Sequence, residues 1–452
     1  MARSVVEIPV ALAGFGTVGA GVMELALSKN PIFESLYNFR LRIVKILVRS
    51  PERHMQTIRR DPLLSSACGS SEGELKALFC TSPAELLQSG AKLIVELIGG
   101  CTDAKEIVYH SLQNAIPVVT ANKALIFQYL DELANMAGKT FFGFEAAVCG
   151  GIPIIRSLSN DFVADEVQGV AGIMNGTTNF MLSKMETEGA DYMQVLKEAQ
   201  SLGFAEADPT ADVGGFDARD KLGILAKLAF GVTLKDIPCE GITQVSKIDF
   251  EYAKMLGCTV KLLGCVKKDA KSNRVSCFVS PHLVPADHAI AACRGPTNLC
   301  AVTSKNMGLT VYQGPGAGRY PTANSVMNDI VRACQEIVAP KPQGSENLLL
   351  SASAAASITG KNCVFDTDYT CDSFYVRIRL RDGLGIVKEL GEAAEAAGVS
   401  IAQMLQNLIT DKNDVYTVVT TDSCSFSQVC GFVDRVSLCS WCKEKPVVFP
   451  MM

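Results

Sequence analysis

The stretch Gly14-Phe15-Gly16-Thr17-Val18-Gly19 follows an apolar run, Val5 to Ala13, and precedes residues with helical spacing as far as Lys29. In a G-x-G-x-x-G turn, the first glycine permits the tight turn, the second lets a pyrophosphate approach the backbone, and the third lets helix and strand pack closely. The N–H groups at the helix start favour phosphate charge. Any tight strand-to-helix turn can contain such glycines, but this setting predicts dinucleotide binding.

Strands and helices continue to alternate after this turn. The apolar runs Leu41–Val48, Lys92–Ile98 and Ile116–Thr120 are separated by segments of helical spacing. This alternation predicts an α/β fold with a Rossmann-type, doubly wound parallel sheet over residues 1–148.

The remainder of the chain has two further patterns. From about Gly150, a mixture of strands and helices predicts an α+β domain over residues 149–311. Breakers and small residues predict a linker over 341–365. Over 366–452, the order of apolar runs and helical segments predicts a small βαββαβ domain.

Composition excludes several classes of protein. The 452 residues carry 42 basic and 47 acidic side chains, a net charge of −5, without a block of like charges. Nucleic acid or an acidic membrane surface is therefore not an expected partner. The 17 cysteines are scattered through apolar runs, no run reaches about 18 apolar residues, and we expect no signal peptide. We expect a cytoplasmic protein that does not enter the membrane.

The residue at the end of the second predicted strand bears on cofactor choice. An acidic residue there would bind the ribose 2′-hydroxyl of NAD, whereas this strand ends at Arg49, with Arg53 nearby. An arginine suits the 2′-phosphate of NADP. A solvated arginine at a strand end is the alternative. The sequence favours NADP, and NAD remains possible.

Charged residues cluster between Glu206 and Lys221. Asp217 and Lys221 are four residues apart at a helix start, so they share one face of that helix. A lysine ammonium beside a carbonyl can donate the proton that completes reduction of the carbonyl. Glu206 and Asp208 can bind a substrate ammonium. The alternative for this region is a capped helix with a surface ion pair.

Two further segments offer chemistry. Lys123 follows a buried strand, at the carboxyl edge where open α/β sheets bind ligands, although Asn122 can equally cap a helix that begins with a solvated lysine. The loop from Glu145 to Pro153 supplies a carboxylate and backbone carbonyls, hard oxygen donors that suit a monovalent cation. An ordinary interdomain turn is the alternative for that loop.

Several of these segments together resemble the homoserine dehydrogenase family. The resemblance runs from about residue 8 to about 335 and rests on six strings: GFGTVG at 14–19, ELIGG at 96–100, VVTANKALI at 118–126, EAAVCGGIPII at 145–155, GIMNGTTNFML at 172–182 and GFAEADPTADVGGFDARDKLGILA at 203–226. The last three strings are specific to that family. The resemblance implies reversible NAD(P)H-dependent reduction of L-aspartate 4-semialdehyde to L-homoserine, in the pathway to threonine and methionine.

The resemblance also implies roles for individual residues. Lys221, Asp217 and Lys123 match catalytic positions, with Lys221 as the proton donor. The other matches fall into three sets: substrate contacts at Glu206, Asp208, Asn175, Gly176 and Thr177; cofactor contacts at Gly14, Phe15, Gly16, Thr17, Val18, Gly19, Arg49, Gly99, Lys123 and Gly316; and sodium ligands at Glu145, Val148, Gly150 and Ile152. Residues 149–311 would bind substrate and form the dimer, and residues 312–340 would return to the nucleotide domain.

The last part of the chain, 366–452, resembles an ACT domain, a βαββαβ module that binds amino acids. Its turn reads Asp382-Gly383-Leu384-Gly385, which departs from the usual Asp-Arg-Pro-Gly and puts effector binding in doubt. L-threonine is the hypothetical effector, and a homodimer or homotetramer is expected from the family. Two alternatives remain open: a catalytically idle amino acid sensor, and a dehydrogenase of another small amino-aldehyde.

Overall fold

The fold is described here from a computed structural model, which describes residues 4–67, 71–269, 272–339 and 363–452. The chain separates into two compact units. The first contains the described residues of Met1–Val167, Gly223–Lys235 and Gly314–Asn362, and the second those of Gln168–Leu222, Asp236–Gln313 and Cys363–Met452. Most of the predicted linker, 341–362, lies outside the described residues.

The strands of the first unit are short and largely buried. They are β1 (Val6–Ala13), β2 (Phe39–Leu47), β3 (Phe79–Cys80), β4 (Leu93–Glu96), β5 (Val118–Thr120) and β6 (Phe142–Gly143). The later strands are β7 (Val167–Ile173), β8 (Cys258–Lys268), β9 (Arg274–Pro285), β10 (Thr297–Ser304), β11 (Gly308–Pro315), β12 (Val364–Asp366), β13 (Thr370–Cys371), β14 (Ser373–Leu380), β15 (Ile401–Gln406), β16 (Val415–Thr421), β17 (Cys424–Ser425) and β18 (Val447–Met451).

The helices range from one turn to more than five. They are α1 (Thr17–Tyr37), α2 (Pro51–Arg60), α3 (Pro62–Ala67), α4 (Glu72–Leu78), α5 (Pro83–Leu87), α6 (Asp103–Gln113), α7 (Lys123–Gln128), α8 (Leu130–Met136), α9 (Ile154–Arg156), α10 (Gly176–Glu188), α11 (Tyr192–Ser201), α12 (Thr210–Val213), α13 (Phe216–Phe230), α14 (Lys247–Met255), α15 (Arg319–Val338), α16 (Ile386–Ala397) and α17 (Phe426–Ser437). Among the described residues, none of the helices combines the length and hydropathy that a membrane span requires.

The first unit confirms the predicted Rossmann-type fold. Within the described residues its sheet has six strands in the order β3-β2-β1-β4-β5-β6. All neighbouring pairs are parallel. This order reverses direction between β1 and β4, and ligands of open parallel sheets bind at the carboxyl edge beside such a reversal. The glycine turn follows β1 and therefore lies at that edge.

Helix α1 is longer than its local pattern indicates. The helical spacing is clear only to Lys29, yet α1 continues through Pro31 to Tyr37. Asn30 explains the extension, because its side-chain amide donates to the carbonyl of Leu41 (3.0 Å) and accepts from the N–H of Leu41 (2.8 Å). These bonds tie the middle of α1 to β2 across the position where a proline usually ends a helix.

The second unit is built on a mixed sheet. In the part of the chain that the structure describes, this sheet has ten strands, nine in the order β11-β10-β7-β8-β9-β18-β14-β16-β15, with β12 beside β9. Strands β8 and β9 form a long antiparallel pair, Cys258–Lys268 against Arg274–Pro285. The mixed sheet agrees with the predicted α+β class. The local patterns do not predict β8 and β10, whose apolar runs cannot be distinguished from buried helix by periodicity.

The C-terminal segment continues this sheet. Its strands β14, β15, β16 and β18, with α16 and α17, have βαββαβ order, and β18 lies parallel to β9. Arg377 of β14 is buried, with its guanidinium paired to the carboxylate of Asp249 in α14. The hydroxyl of Tyr375 donates to the other oxygen of Asp249 (2.9 Å). Buried polar groups satisfied in this way join the C-terminal segment to the rest of the second unit.

Candidate active site

The three glycines of the turn after β1 have different surroundings. Gly14 has a φ of +109°, and a Cβ there would lie 2.9 Å from the carbonyl oxygen of Leu97. A Cβ on Gly19 would lie 2.3 Å from the carbonyl oxygen of Gly14, whereas a Cβ on Gly16 would meet nothing within 4 Å. The first and third glycines thus allow close packing, and the second leaves open space at the N-terminus of α1. A phosphate group fits that space and the helix N–H groups.

Hydrogen bonds hold the end of β2 beside this turn. The N–H of Gly14 donates to the carbonyl of Leu47 (3.0 Å). Two residues beyond Leu47, Arg49 is exposed, and α2 then begins at Pro51. Phe15 is buried, with its ring edge-on to His54 at 5.8 Å, while Thr17 is exposed and Val18 half-buried. Arg49 is therefore an accessible cation close to the glycine turn.

Glu96 organises the loop that follows β4. Its side chain is fully buried and accepts from the N–H groups of Ile98 (2.9 Å) and Gly99 (3.0 Å) and from the Thr120 hydroxyl (2.6 Å). Burial raises the pKa of Glu96, and these hydrogen bonds oppose that rise. Sequence reasoning assigned only Gly99 in this loop. The missed signal is a carboxylate inside the apolar run Lys92–Ile98, where a charge needs internal partners.

Lys123 is the first residue of α7 and is half-buried. The Asn122 side chain caps this helix by accepting from the N–H of Leu125 (3.2 Å), and it also donates to the carbonyl of Gly100 (2.7 Å). Asn122 thereby connects the loop after β4 to the start of α7. Lys123 and Gly99 consequently lie on adjoining loops at the carboxyl edge of the sheet, as the strand order requires.

In the second unit, Lys221 is the best-defined candidate. It lies in α13 with 9% of its surface exposed. Its ammonium donates to Asp217 Oδ2 and to the carbonyl of Met174, each at 2.7 Å. The i,i+4 spacing thus forms a largely buried ion pair, in contrast to a surface pair between two mobile side chains. The two contacts direct the ammonium to a defined position.

Asn175 extends this pair into a cluster. Its Nδ2 donates to Asp217 Oδ2 (2.9 Å) and to Asp212 Oδ1 (2.7 Å), while its Oδ1 caps α10 by accepting from the N–H of Thr178 (2.8 Å). Asp212 was missed as a site residue. Its signal was its position five residues before Asp217 in the same family-specific string. The cluster brings together the N-cap residue of α10 and residues of α12 and α13.

The remaining predicted substrate contacts lie at the start of α10 and on the loop 203–208. The hydroxyl of Thr177 donates to the carbonyl of Phe204 (2.6 Å), which holds the 203–208 loop near the start of α10. Glu206 and Asp208 are exposed on that loop. Asp208 accepts from the hydroxyl (2.6 Å) and N–H (3.1 Å) of Thr210, and these bonds lower its pKa. The backbone at Gly176 packs closely against Pro296, because a Cβ added at position 176 would lie 2.6 Å from the carbonyl oxygen of Pro296.

Comparisons with known proteins bear directly on this arrangement. A family model described as homoserine dehydrogenase matches residues 153–331, and one for the NAD binding domain of that enzyme matches 14–143. Homoserine dehydrogenase of Neisseria gonorrhoeae is 32% identical over 455 residues, covering 98% of each chain. The homoserine dehydrogenase structure from Thiobacillus denitrificans has a TM-score of 0.86 and 30% identity, covering 100% of this chain and 99% of that one. The chain belongs to the homoserine dehydrogenase family.

Membership of the homoserine dehydrogenase family makes the chain an NAD(P)-dependent oxidoreductase that acts on a CH–OH group of a small molecule. A hyperthermophilic archaeal homoserine dehydrogenase in complex with NADPH has a TM-score of 0.62 and 27% identity, covering 75% of this chain and 99% of that one. NAD(P) use also agrees with the open space at Gly16, which side chains larger than glycine would occupy.

The segment Glu145 to Pro153, which the sequence predicts as a cation site, is largely buried in the first unit. The carboxylate of Glu145 accepts from the N–H groups of Ile155 and Arg156, each at 2.9 Å, and its own N–H donates to Asp329 Oδ2 (2.9 Å). Burial and the nearby Asp329 raise the pKa of Glu145 to about 7. Sequence reasoning missed Asp329, an acidic residue on the buried face of α15.

Backbone carbonyls complete this loop. The carbonyl of Gly150 accepts from the hydroxyl of Ser325 (2.8 Å), and that of Ile152 accepts from the N–H of Ile154 (2.9 Å). Val148, two residues before Gly150, is fully buried. A Cβ on Gly150 would lie 2.4 Å from the carbonyl oxygen of Gly316, so Gly316 packs directly on the loop. Carboxylate and carbonyl oxygens are the donors that a hard cation prefers, and a positive charge would offset the burial of two carboxylates.

Proposed function

We propose that the chain catalyses the reversible, NADPH-dependent reduction of L-aspartate 4-semialdehyde to L-homoserine, with Lys221 as the proton donor. The observation that carries this proposal is the buried Lys221–Asp217 pair, held by Asn175 and the carbonyl of Met174. The same residues argue against the catalytically idle alternative, because a sensor has no physical need for an ammonium fixed in this way.

The proposed chemistry assigns each group a task. NADPH, when bound, supplies the hydride. The ammonium of Lys221 moves a proton from Nζ to the substrate oxygen as negative charge grows there. Asp217 keeps that ammonium in place, and Lys123 adds positive charge that stabilises the developing alkoxide.

Substrate binding is assigned to the residues around this cluster. Glu206 and Asp208 supply the negative charge that binds the substrate ammonium. The substrate pocket at the start of α10 is assigned to Asn175, Gly176 and Thr177. The hydroxyl of Thr177 stabilises this helix start by donating to the carbonyl of Phe204. Gly14, Phe15, Gly16, Thr17, Val18, Gly19, Gly99 and Gly316 form the proposed cofactor surface. We propose three functional parts: a nucleotide domain of 1–148 and 312–340, a substrate and dimerisation domain of 149–311, and an ACT-like domain of 366–452.

The first test is the initial rate of NADP⁺ and of NAD⁺ reduction with L-homoserine at alkaline pH, each with and without millimolar L-threonine. We expect turnover that is faster with NADP⁺ and that falls when threonine binds the ACT-like domain.

The βαββαβ order and the β18-β14-β16-β15 arrangement support that domain assignment. Absence of turnover in protein that binds NADPH would favour the amino acid sensor or another amino-aldehyde. If threonine changed neither the rate nor the melting temperature, the assignment of threonine as the effector would be contradicted.

Arg49 is proposed to select NADP through its 2′-phosphate. Arg49→Ala should raise the KM for NADP⁺ about tenfold and leave the KM for NAD⁺ nearly unchanged, since one charge-assisted contact is lost. The matched control is Arg59→Ala at the end of α2, where Arg59 is exposed and pairs with Glu72 at 3.4 Å. Equal changes for both cofactors, or the same change in the control, would count against the assignment.

Sodium is proposed to bind Glu145 and the carbonyls of Val148, Gly150 and Ile152. Replacing sodium chloride by choline chloride at equal ionic strength should lower the thermal midpoint by several degrees, because a bound ion stabilises only the folded state. In Glu145→Gln the two salts should give the same midpoint. A wild-type midpoint that does not depend on the cation would contradict this site.

Quaternary structure and location complete the proposal. A homodimer or homotetramer is proposed from the family, and size-exclusion chromatography with light scattering measures it directly. A cytoplasmic location is proposed from the scattered cysteines of the sequence, which suit a reducing compartment.

A further inference from the structure

Lys261 is a buried charged group that the proposed reaction does not use. It lies in β8 with 1% of its surface exposed. Its ammonium donates to the carbonyl of Cys293 (2.7 Å) and to Asn179 Oδ1 (3.4 Å), both neutral oxygens. Burial lowers the pKa of Lys261 because an ammonium loses its hydration there. A charge in such a place needs its hydrogen bonds, so its two partners are held firmly to it.

The two acceptors of Lys261 lie where the turn Cys293–Thr297 packs against helix α10. Asn179 Nδ2 donates to the carbonyls of Cys293 (3.3 Å) and Thr297 (3.1 Å). One helical turn further, the hydroxyl of Ser183 accepts from the N–H of Gly295 (3.2 Å). Asn179 and Ser183 lie on one face of α10 because they are four residues apart. Lys261 therefore binds the turn and the helix at the place where they meet.

The same turn contacts the first residue of α10. A Cβ on Gly176 would lie 2.6 Å from the carbonyl oxygen of Pro296 and 3.5 Å from Asn298 Oδ1. The two backbones are thus too close for any other residue at 176. Gly176 directly follows Asn175, whose amide donates to Asp217 (2.9 Å). A displacement of the turn would consequently reach Asn175 through Gly176.

We infer that Lys261 is a positioning residue for the proton-donating pair. By fixing the turn Cys293–Thr297 against α10, it fixes Asn175, and Asn175 in turn orients Asp217 toward Lys221. This inference rests on the proposed role of Lys221. It assigns Lys261 no contact with substrate or cofactor.

The test is Lys261→Met, which retains the chain length and removes the charge. We expect kcat to fall on the order of tenfold, because small displacements of reacting groups strongly lower the rate. The KM for NADP⁺ should not change, and the thermal midpoint should fall only slightly, because removing the buried charge offsets part of the cost of the lost hydrogen bonds. A merely structural lysine would give a lower midpoint with normal kcat.

Two more variants make the test decisive. Thr259→Val is the matched control: Thr259 is two residues away on the same face of β8, is buried, and its hydroxyl has no hydrogen-bond partner among the described residues. It should retain wild-type kcat. Asn179→Ala breaks the same contact from α10 and should lower kcat without changing the KM for NADP⁺. The Lys261→Met and Asn179→Ala double variant should lose little more than the worse single variant, because both act through one turn.

The outcomes separate this inference from the proposed function. Normal kcat in Lys261→Met overturns the inference if Lys221→Ala is inactive. Normal turnover in Lys221→Ala overturns the role of Lys221 and the inference that rests on it. If Lys261→Met does not fold, Asn179→Ala decides, and wild-type kcat in that variant overturns the inference.

Discussion

Lys221→Ala should lower kcat for homoserine oxidation by about a thousandfold, within the range that general acid–base catalysis contributes. The physical reason is that the neutral amine of Lys221 accepts the hydroxyl proton in oxidation and its ammonium returns that proton in reduction, while Asp217 and the carbonyl of Met174 hold Nζ at 2.7 Å. The dissociation constant for NADPH should change less than threefold, since Lys221 is proposed to contact the reacting oxygen and not the phosphates. Steady-state kinetics and NADPH fluorescence titration measure the two quantities.

Two further variants accompany this one. Lys197→Ala is the control: it removes an exposed lysine from α11 and should leave kcat unchanged. Asp217→Asn retains the shape of the Lys221 partner without its charge, and we expect its kcat to lie between those of wild type and Lys221→Ala. Near-normal turnover and an unchanged pH dependence in Lys221→Ala would show that the proton donor lies elsewhere.

Gly16→Ala and Gly19→Ala should both abolish tight NADPH binding, but for different reasons. At Gly19 the new methyl would lie 2.3 Å from the carbonyl oxygen of Gly14, so the turn must open and the thermal midpoint should fall by roughly 5 °C or more. A Cβ added at Gly16 would meet no atom within 4 Å, so we expect a thermal midpoint within about 3 °C of wild type. The dissociation constant for NADPH should rise on the order of a hundredfold in each, since the methyl at 16 occupies the path of the pyrophosphate.

Gly73→Ala is the matched control for this pair. Gly73 lies in the first turn of α4, and a Cβ there would also meet nothing within 4 Å. It should leave NADPH binding unchanged. If Gly16→Ala bound NADPH like the control, the phosphates would not lie at this turn, and the proposed cofactor surface would be wrong.

Local features predicted a large part of this site. The G-x-G-x-x-G string begins directly after β1 and its last three residues begin α1, as the strand-to-helix pattern around it predicts. Asp217 and Lys221 contact each other because four residues span about one turn of any helix. Asn122 caps α7 because its amide is within reach of an N–H three residues later. Each of these relations spans only a few residues, so it does not depend on the rest of the fold.

Other relations depend on residues that are far apart in the chain. Asn175 and Asp217 are 42 residues apart, Glu145 and Asp329 are 184 apart, and Lys261 and Cys293 are 32 apart. Glu96 accepts from Thr120 across two strands, and Asp212 joins the Lys221 cluster through Asn175. No local periodicity encodes these pairs, because tertiary packing alone brings them within hydrogen-bond distance.

The amino-acid sequence by itself therefore determined the class of the fold, the dinucleotide turn and the lysine–aspartate pair, since backbone geometry over a few residues is enough to specify them. Only the tertiary structure decided which buried carboxylates support those groups, that the C-terminal βαββαβ segment continues the sheet of the second unit, and that Lys261 binds the turn beside Asn175. The physical reason is that a buried charge acquires its partners from whichever elements the core packs around it.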